Sequence, residues 1–251
     1  MFFPLSSTEI RIYILSALAA VIALTVHEFS HGYAAYKLGD STAKNFGRLS
    51  FNPLKHLDIF GTLCLIFFKV GWAKPVPIDA RNFKRPKRDF AITAICGPAV
   101  NLIISFLTAG IYLLYMALMR GVVFEEGFVF NLAQTAADFL YLFYAINLGL
   151  GIFNLIPIPP LDGSRILHLV LPERTYFSIM RNERKIYLFV VAWLLLGDIL
   201  CGALRSVPLV QSTPLLYNLS AILSLSDLLG YAIGAVGDLF FKFWELIPYL
   251  R

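Results

Sequence analysis

Hydrophobic residues along this chain fall in long blocks rather than in alternation. The first runs from Ile12 to Leu38, is interrupted near its end by His27-Glu28-Phe29-Ser30-His31, and meets a stop at Gly39-Asp40. A helix needs about 20 mostly apolar residues to cross a bilayer, so this block predicts a membrane helix. "SALAA" at 16–20 has the small-residue spacing of a cleaved leader, but the apolar stretch ahead of it is too short, and the helix is read as retained. Blocks at 90–118, 139–156, 186–204 and 215–243 predict further spans, the last limited by Asp227 and Asp238. The block at 59–72 is short and broken by Lys69, which fits a re-entrant or interfacial segment. Before it, the alternation in "GRLSF" predicts a strand or hairpin over 45–51. The pattern describes an all-α polytopic membrane protein with five to six membrane segments and a small β-hairpin or re-entrant region after the first helix. No repeat or linker divides residues 1–251, which predicts one domain.

Composition agrees. The chain is 58% hydrophobic and 15% charged, with mean hydropathy +0.72, against about 45–50% and about 25% in soluble domains. An aromatic share of 15% with little charge excludes disorder. The net charge of +5 is not a nucleic-acid signature, because no basic patch carries base-reading or stacking groups. The basic residues lie instead between the apolar blocks: ten in 39–89 and five in 157–185, against one Arg and three acids in 119–138. Such loops face the cytosol, which puts the N-terminus outside the cell membrane. Cys64, Cys96 and Cys201 are odd in number and form no C-x-x-C pair, which argues against a disulfide framework or a cysteine metal site.

The interruption in the first block carries chemistry. In His27-Glu28-x-x-His31 the two histidines, four apart on a helix, share a face and can reach one zinc ion, with Glu28 beside the metal to take a proton from its water. Ionisable groups inside a membrane helix are costly and are functional candidates by default; the alternative is a histidine pair hydrogen-bonded within a bundle. A catalytic zinc usually has three protein ligands. His56 and His168 are possible thirds, but Asp162 in "NLIPIPPLDG" is better placed, at the cytosolic end of its block and so at the depth of the histidine pair. Prolines 159 and 160 break the helix there, tolerable only where protein or water covers the freed backbone. Alone, Asp162 reads better as the N-cap of a following helix; coupled to the histidine pair it reads as a ligand, and the two roles are compatible. His168 reads as an exposed helical residue and His56 as a structural loop residue.

Three blocks together resemble the site-2 proteases, the intramembrane zinc peptidases: "HEFSH" at 27–31, "GPAVN" at 97–101 and "NLIPIPPLDG" at 154–163. "GRLSFNPLKHLDIFGT" at 47–62 and "GWAKPVP" at 71–77 are similar to the small prokaryotic branch without PDZ or CBS domains. The resemblance implies one Zn2+ per chain held by His27, His31 and Asp162, with Glu28 as the general base. It implies that Asn154 holds the substrate backbone or the developing oxyanion, for which an amide NH2 is a suitable donor; the alternative is a helix-end hydrogen bond. The substrate it implies is a transmembrane protein already shortened by another protease. On this reading residues 10–165 are the catalytic core and 186–243 hold the C-terminal membrane helices. Gly97-Pro98 reads as a packing and kink device. Asn101 is expected to bond an unwound strand or its own helix. A strand at 45–51 or a hairpin at 59–72 is expected to pair with the unwound substrate. A zinc transporter would need several sites along a path, and an inactive scaffold would have a broken motif; the sequence shows neither.

Overall fold

The computed structural model describes residues 6–58, 61, 73–123, 125, 127–220 and 224–250. The first helix, α1 (Ser7–Leu38), starts at a capping box in which Glu9 N–H donates to Ser6 Oγ and Ser6 N–H to Glu9 Oε2. It ends at Gly39, whose φ of 112° favours glycine. One short turn, α2 (Thr42–Asn45), follows. Two long helices, α3 (Pro86–Met119) and α4 (Phe128–Leu155), then pack antiparallel against each other and against α1. Beyond them come α5 (Gly163–Val170), α6 (Glu173–Arg181), α7 (Glu183–Arg205), the short α8 (Pro208–Ser212) and α9 (Pro214–Ser220), and α10 (Leu225–Trp244). Helices α1, α3, α4 and α7 are long and apolar enough to cross a membrane.

The distribution of side chains is the reverse of that in a water-soluble protein. On α3 the large apolar residues Ile103, Leu107, Ile111, Leu114 and Leu118 point outward in one stripe, while Thr93, Asn101, Ser105 and Thr108 are buried. On α1, Ile10, Ile14 and Leu18 face outward and Ala19, Ala23, His27 and His31 face in. Lipid tails solvate the first kind of surface; the interior is left to small residues that permit close approach and to polar ones that bond across helices. Ser105 Oγ donates to the Tyr144 carbonyl at 3.0 Å and Trp244 Nε1 to the Phe106 carbonyl at 2.8 Å.

The strand expected at 45–51 is not formed, and no strand occurs among the described residues. The backbone donors there are spent locally: Gly47 N–H on Lys44, Arg48 N–H on Ala43 and Ser50 N–H on Arg48. An isolated antiparallel bridge joins Leu57 to Ala73. The re-entrant or hairpin segment expected at 59–72, and Cys64 within it, lie outside the described residues apart from Gly61.

The loop after α1 nonetheless folds back along that helix. Phe51 stacks on Phe29 at 4.0 Å between ring centroids, about two turns before the end of α1. An extended strap, residues 73–79, lies beside this loop. Arg48 Nη2 donates to the Lys74 and Pro75 carbonyls, Lys74 N–H to the His56 carbonyl at 2.7 Å, and Asp79 N–H to Asp40 Oδ2 at 2.8 Å. Asp40 is fully buried. Its Oδ1 also accepts from Thr42 N–H (3.0 Å), Thr42 Oγ1 (2.5 Å) and Asn82 Nδ2 (2.8 Å), which offsets the cost of burying a carboxylate.

Candidate metal centre

Helix α1 presents His27 and His31 on the face that meets α3, one turn apart and buried at 4% and 6% exposure. Asp162 arrives from the chain leaving α4. That helix stops at Leu155 because Pro157, Pro159 and Pro160 follow within five residues. Gly163 then tucks the start of α5 beneath the end of α4, so tightly that a Cβ there would lie 2.2 Å from the Leu155 carbonyl oxygen. Asp162 stands at the N-cap of α5, yet its carboxylate makes no capping bond. It turns to the imidazoles instead, with Oδ2 3.0 Å from His27 Nε2 and 3.1 Å from His31 Nε2; the two Nε2 atoms are 3.1 Å apart.

Three donors so close together form a triangle of the size a small cation requires. Ligands about 2.0–2.1 Å from a tetrahedral zinc stand about 3.3 Å from one another. The other nitrogens show which ring atoms face the middle. His31 Nδ1 is 2.8 Å from the Thr93 carbonyl oxygen, which only accepts, so Nδ1 carries the hydrogen and neutral His31 turns a lone pair inward. His27 Nδ1 is 2.6 Å from Asn101 Oδ1. Two imidazole lone pairs and a carboxylate oxygen repel one another unless a cation lies between them, so these residues fit a metal ion. The cluster His27, His31 and Asp162 can hold one by donor type and mutual distance.

Gly97 allows this geometry. A Cβ on it would lie 2.4 Å from His31 Nε2 and 2.9 Å from His27 Cε1, so α3 reaches the imidazoles only as bare backbone. The sequence reading of Gly97-Pro98 as a packing device holds for Pro98, whose carbonyl backs onto Gly151, but understates Gly97. Asn101 bonds neither a strand nor its own helix: its Nδ2 donates to the Ala23 carbonyl at 3.3 Å and to Asn147 Oδ1 at 2.8 Å.

Glu28 lies on the same turn, half-buried, and its Oε2 accepts from Val76 N–H at 2.9 Å. The strap at 73–79 is thus hydrogen-bonded to the residue between the histidines. Asn154 turns its Nδ2 to the Leu150 carbonyl of its own helix at 3.0 Å. His56 is buried, holds the Ser50 carbonyl through Nε2 at 2.7 Å, and is apart from the triangle. His168 is half-buried rather than exposed, because Tyr176 of α6 stacks on it at 4.2 Å. Thr93 and Asn147 escaped the sequence reading, and Asp40 was read there only as part of a helix stop. Asn147 left a signal, as a lone amide in the apolar run "YAINLGLGIF"; Thr93 acts through its backbone and left none.

Residues 15–197 match the model of peptidase family M50. The chain is similar to the "Putative zinc metalloprotease YwhC" of Bacillus subtilis (strain 168), at 40% identity over 191 residues covering 76% of this chain and 81% of that one. It is also similar to the "Putative zinc metalloprotease Rip2" of Mycolicibacterium smegmatis (strain ATCC 700084 / mc(2)155), at 28% identity over 197 residues covering 76% and 70%. No solved structure matches.

Proposed function

Because this chain belongs to peptidase family M50, and is a zinc metalloprotease with several membrane helices, we propose that it hydrolyses a peptide bond in or near a transmembrane segment of a membrane-protein substrate. His27, His31 and Asp162 hold one zinc per chain, and Glu28 is the general base. The observation that carries the reading is the triangle of donors within 3.1 Å, with inward-facing Nε2 atoms, on a helix long enough to span.

Zinc, when bound, supplies Lewis acidity that polarises the scissile carbonyl and makes a neighbouring water acidic. The chain's own residues do the rest. Glu28 takes the proton of the attacking water and passes it to the leaving amine. Its present bond to Val76 N–H fixes the carboxylate beside the histidines and limits its swing. Asn154 holds the developing oxyanion with its amide, giving up the bond to Leu150 when substrate enters. The substrate helix must unwind locally, since its carbonyls are otherwise committed to its own hydrogen bonds. The protein lies in the cell membrane with its N-terminus outside and the site toward the cytosol, as the basic loops 39–89 and 157–185 imply. Its substrate is a transmembrane protein already trimmed by another protease.

The test is zinc content and cleavage of a model transmembrane substrate, wild type against Glu28→Gln. One zinc in both proteins with cleavage in the wild type alone is expected. Equal turnover in both would remove Glu28 as the base, and a wild type without zinc would remove the metal centre.

A further inference from the structure

Asn147 is fully buried in α4, about two turns before the "NLIPIPPLDG" block and outside every motif above. A buried amide in a membrane helix is unfavourable unless all its groups are used. The bonds of Asn147 run in one direction that chemistry dictates. Its nearest backbone neighbour, the Phe143 carbonyl at 2.8 Å, can only accept. The NH2 of Asn147 must therefore face Phe143, and its Oδ1 must face Asn101. That oxygen in turn needs a donor, so Asn101 presents its NH2 to Asn147 (2.8 Å) and to the Ala23 carbonyl (3.3 Å). Asn101 Oδ1 is then left facing His27 Nδ1 at 2.6 Å, and an amide oxygen only accepts. His27 must carry its hydrogen on Nδ1, which leaves the Nε2 lone pair aimed at Asp162 and His31.

We propose that Asn147 and Asn101 are positioning residues that lock His27 in the tautomer able to bind metal through Nε2. The orientation of each amide is set by a chain of bonds beginning at the Phe143 carbonyl, with the longer bond to the Ala23 carbonyl supporting that of Asn101. Neither residue touches the metal or the substrate. The proposal rests on the metal-centre reading and adds the device that orients its first ligand. His31 needs no such chain, because a backbone carbonyl faces its Nδ1 directly. The two histidines are thus oriented by different means.

The relay makes a discriminating prediction. In Asn147→Leu the amide of Asn101 keeps only its longer bond to the Ala23 carbonyl (3.3 Å) and is freer to turn its NH2 toward His27 and put the hydrogen on Nε2. Zinc affinity should fall about 10- to 100-fold, the usual effect of losing an outer-shell partner. In Asn147→Asp a neutral carboxylic acid donates its O–H to Phe143 and accepts from Asn101, so the direction of the chain survives. Ser105→Ala removes one hydrogen bond from the same α3–α4 contact, one turn further along, without touching the relay.

The experiment titrates zinc against a competing chelator in detergent-purified wild type and the three variants, with thermal melting to check folding and cobalt(II) absorption to report ligand geometry. Loss in Asn147→Leu, with Asn147→Asp and Ser105→Ala within about threefold of wild type and a cobalt spectrum changed in Asn147→Leu alone, is the expected result. Wild-type affinity in Asn147→Leu, or equal loss in Ser105→Ala, would overturn the relay and leave the metal centre standing. A wild type that binds no zinc would overturn both.

Discussion

Replacing Gly97 by alanine adds one methyl group and should abolish the metal centre. The added Cβ would stand 2.4 Å from His31 Nε2, 2.6 Å from His31 Cε1 and 2.9 Å from His27 Cε1, where ordinary contact begins at 3.4 Å. Either the imidazole or the α3 backbone must give by about 1 Å, several times the ±0.2 Å tolerance of a metal–ligand distance. Neither can give freely. His31 is held by the Thr93 carbonyl and His27 by Asn101, both on α3, so moving that helix carries the anchors with it. The Pro98 carbonyl already backs onto Gly151 on the other side. A misplacement of about 1 Å in a catalytic group costs about a hundredfold in rate, and overpacking a well-filled site costs about 1–3 kcal/mol of stability. Gly97→Ala should therefore lose at least about a hundredfold in zinc affinity and in cleavage while still folding. Chelator competition, a cleavage assay and a melting curve report the three quantities separately. Gly234→Ala, where a Cβ meets nothing within 4 Å, is the matched control and should change none of them for the worse. Zinc affinity and turnover at wild-type level in Gly97→Ala would refute the close approach of α3.

Further outcomes follow for the metal itself, for Asp40 and for Gly110. Stripping zinc should lower the melting temperature and restoring it should reverse the loss, by about 4 kcal/mol at a thousandfold excess over Kd; an unchanged melt would mean that the triangle tolerates its own repulsion. Asp40→Ala should destabilise by about 3 kcal/mol or more by leaving the donors of Thr42, Asp79 and Asn82 without their acceptor, measured by thermal unfolding in detergent. Burial pushes the Asp40 carboxyl up, but its bonds from Thr42, Asn82 and Asp79 outweigh that and hold it below the ordinary range. Its contribution is therefore complete above about pH 3.9 and disappears as pH falls through the lower folded value, so Asp40→Asn should lose that acid limb. Gly110→Ala should displace the Trp244 indole, whose Cε2 would lie 2.6 Å from the new Cβ, breaking its bond to Phe106; a shifted tryptophan emission and about 1–3 kcal/mol of lost stability are expected with zinc unaffected.

What the sequence made legible is what rests on local spacing. His27 and His31 had to share a face once the block was a helix, and the prolines after Leu155 had to release Asp162 from one. Of the two readings of Asp162, the geometry supports the ligand, since its carboxylate leaves the α5 N-terminus uncapped and faces the imidazoles. Features that depend on which backbone passes close by were hidden. Thr93 contributes a carbonyl, which every residue has, and the role of Gly97 lies in the absence of an atom next to rings 66 and 70 positions away in the sequence. The strand predicted at 45–51 had the right alternation but forms no ladder among the described residues, because its donors close turns.

The direction of the last helix was equally hidden, since an apolar run has no polarity along its axis. Five alternating spans would send α10 the same way as α4. The contacts run the other way: Ile233 lies by Gly149, Gly237 by Tyr144 and Leu148, Phe241 by Tyr144 and Tyr112, and Trp244 by Phe106. Rising numbers on α10 meet falling numbers on α4, so α10 starts at the end of the bundle where α4 stops. Helix α7 lies between the two in sequence: Glu183 at its start pairs with Arg165, three residues past Asp162, and Arg205 at its end with Asp227 at the start of α10. Helices α8 and α9, of five and seven residues, are too short to recross a hydrocarbon core of about 30 Å. An apolar length of 23 residues makes α7 long enough to span but does not fix its direction. The charged cluster of Arg205 and Asp227, with Asp198 bonded to Ser224 and Ser226, ties α7 to the start of α10.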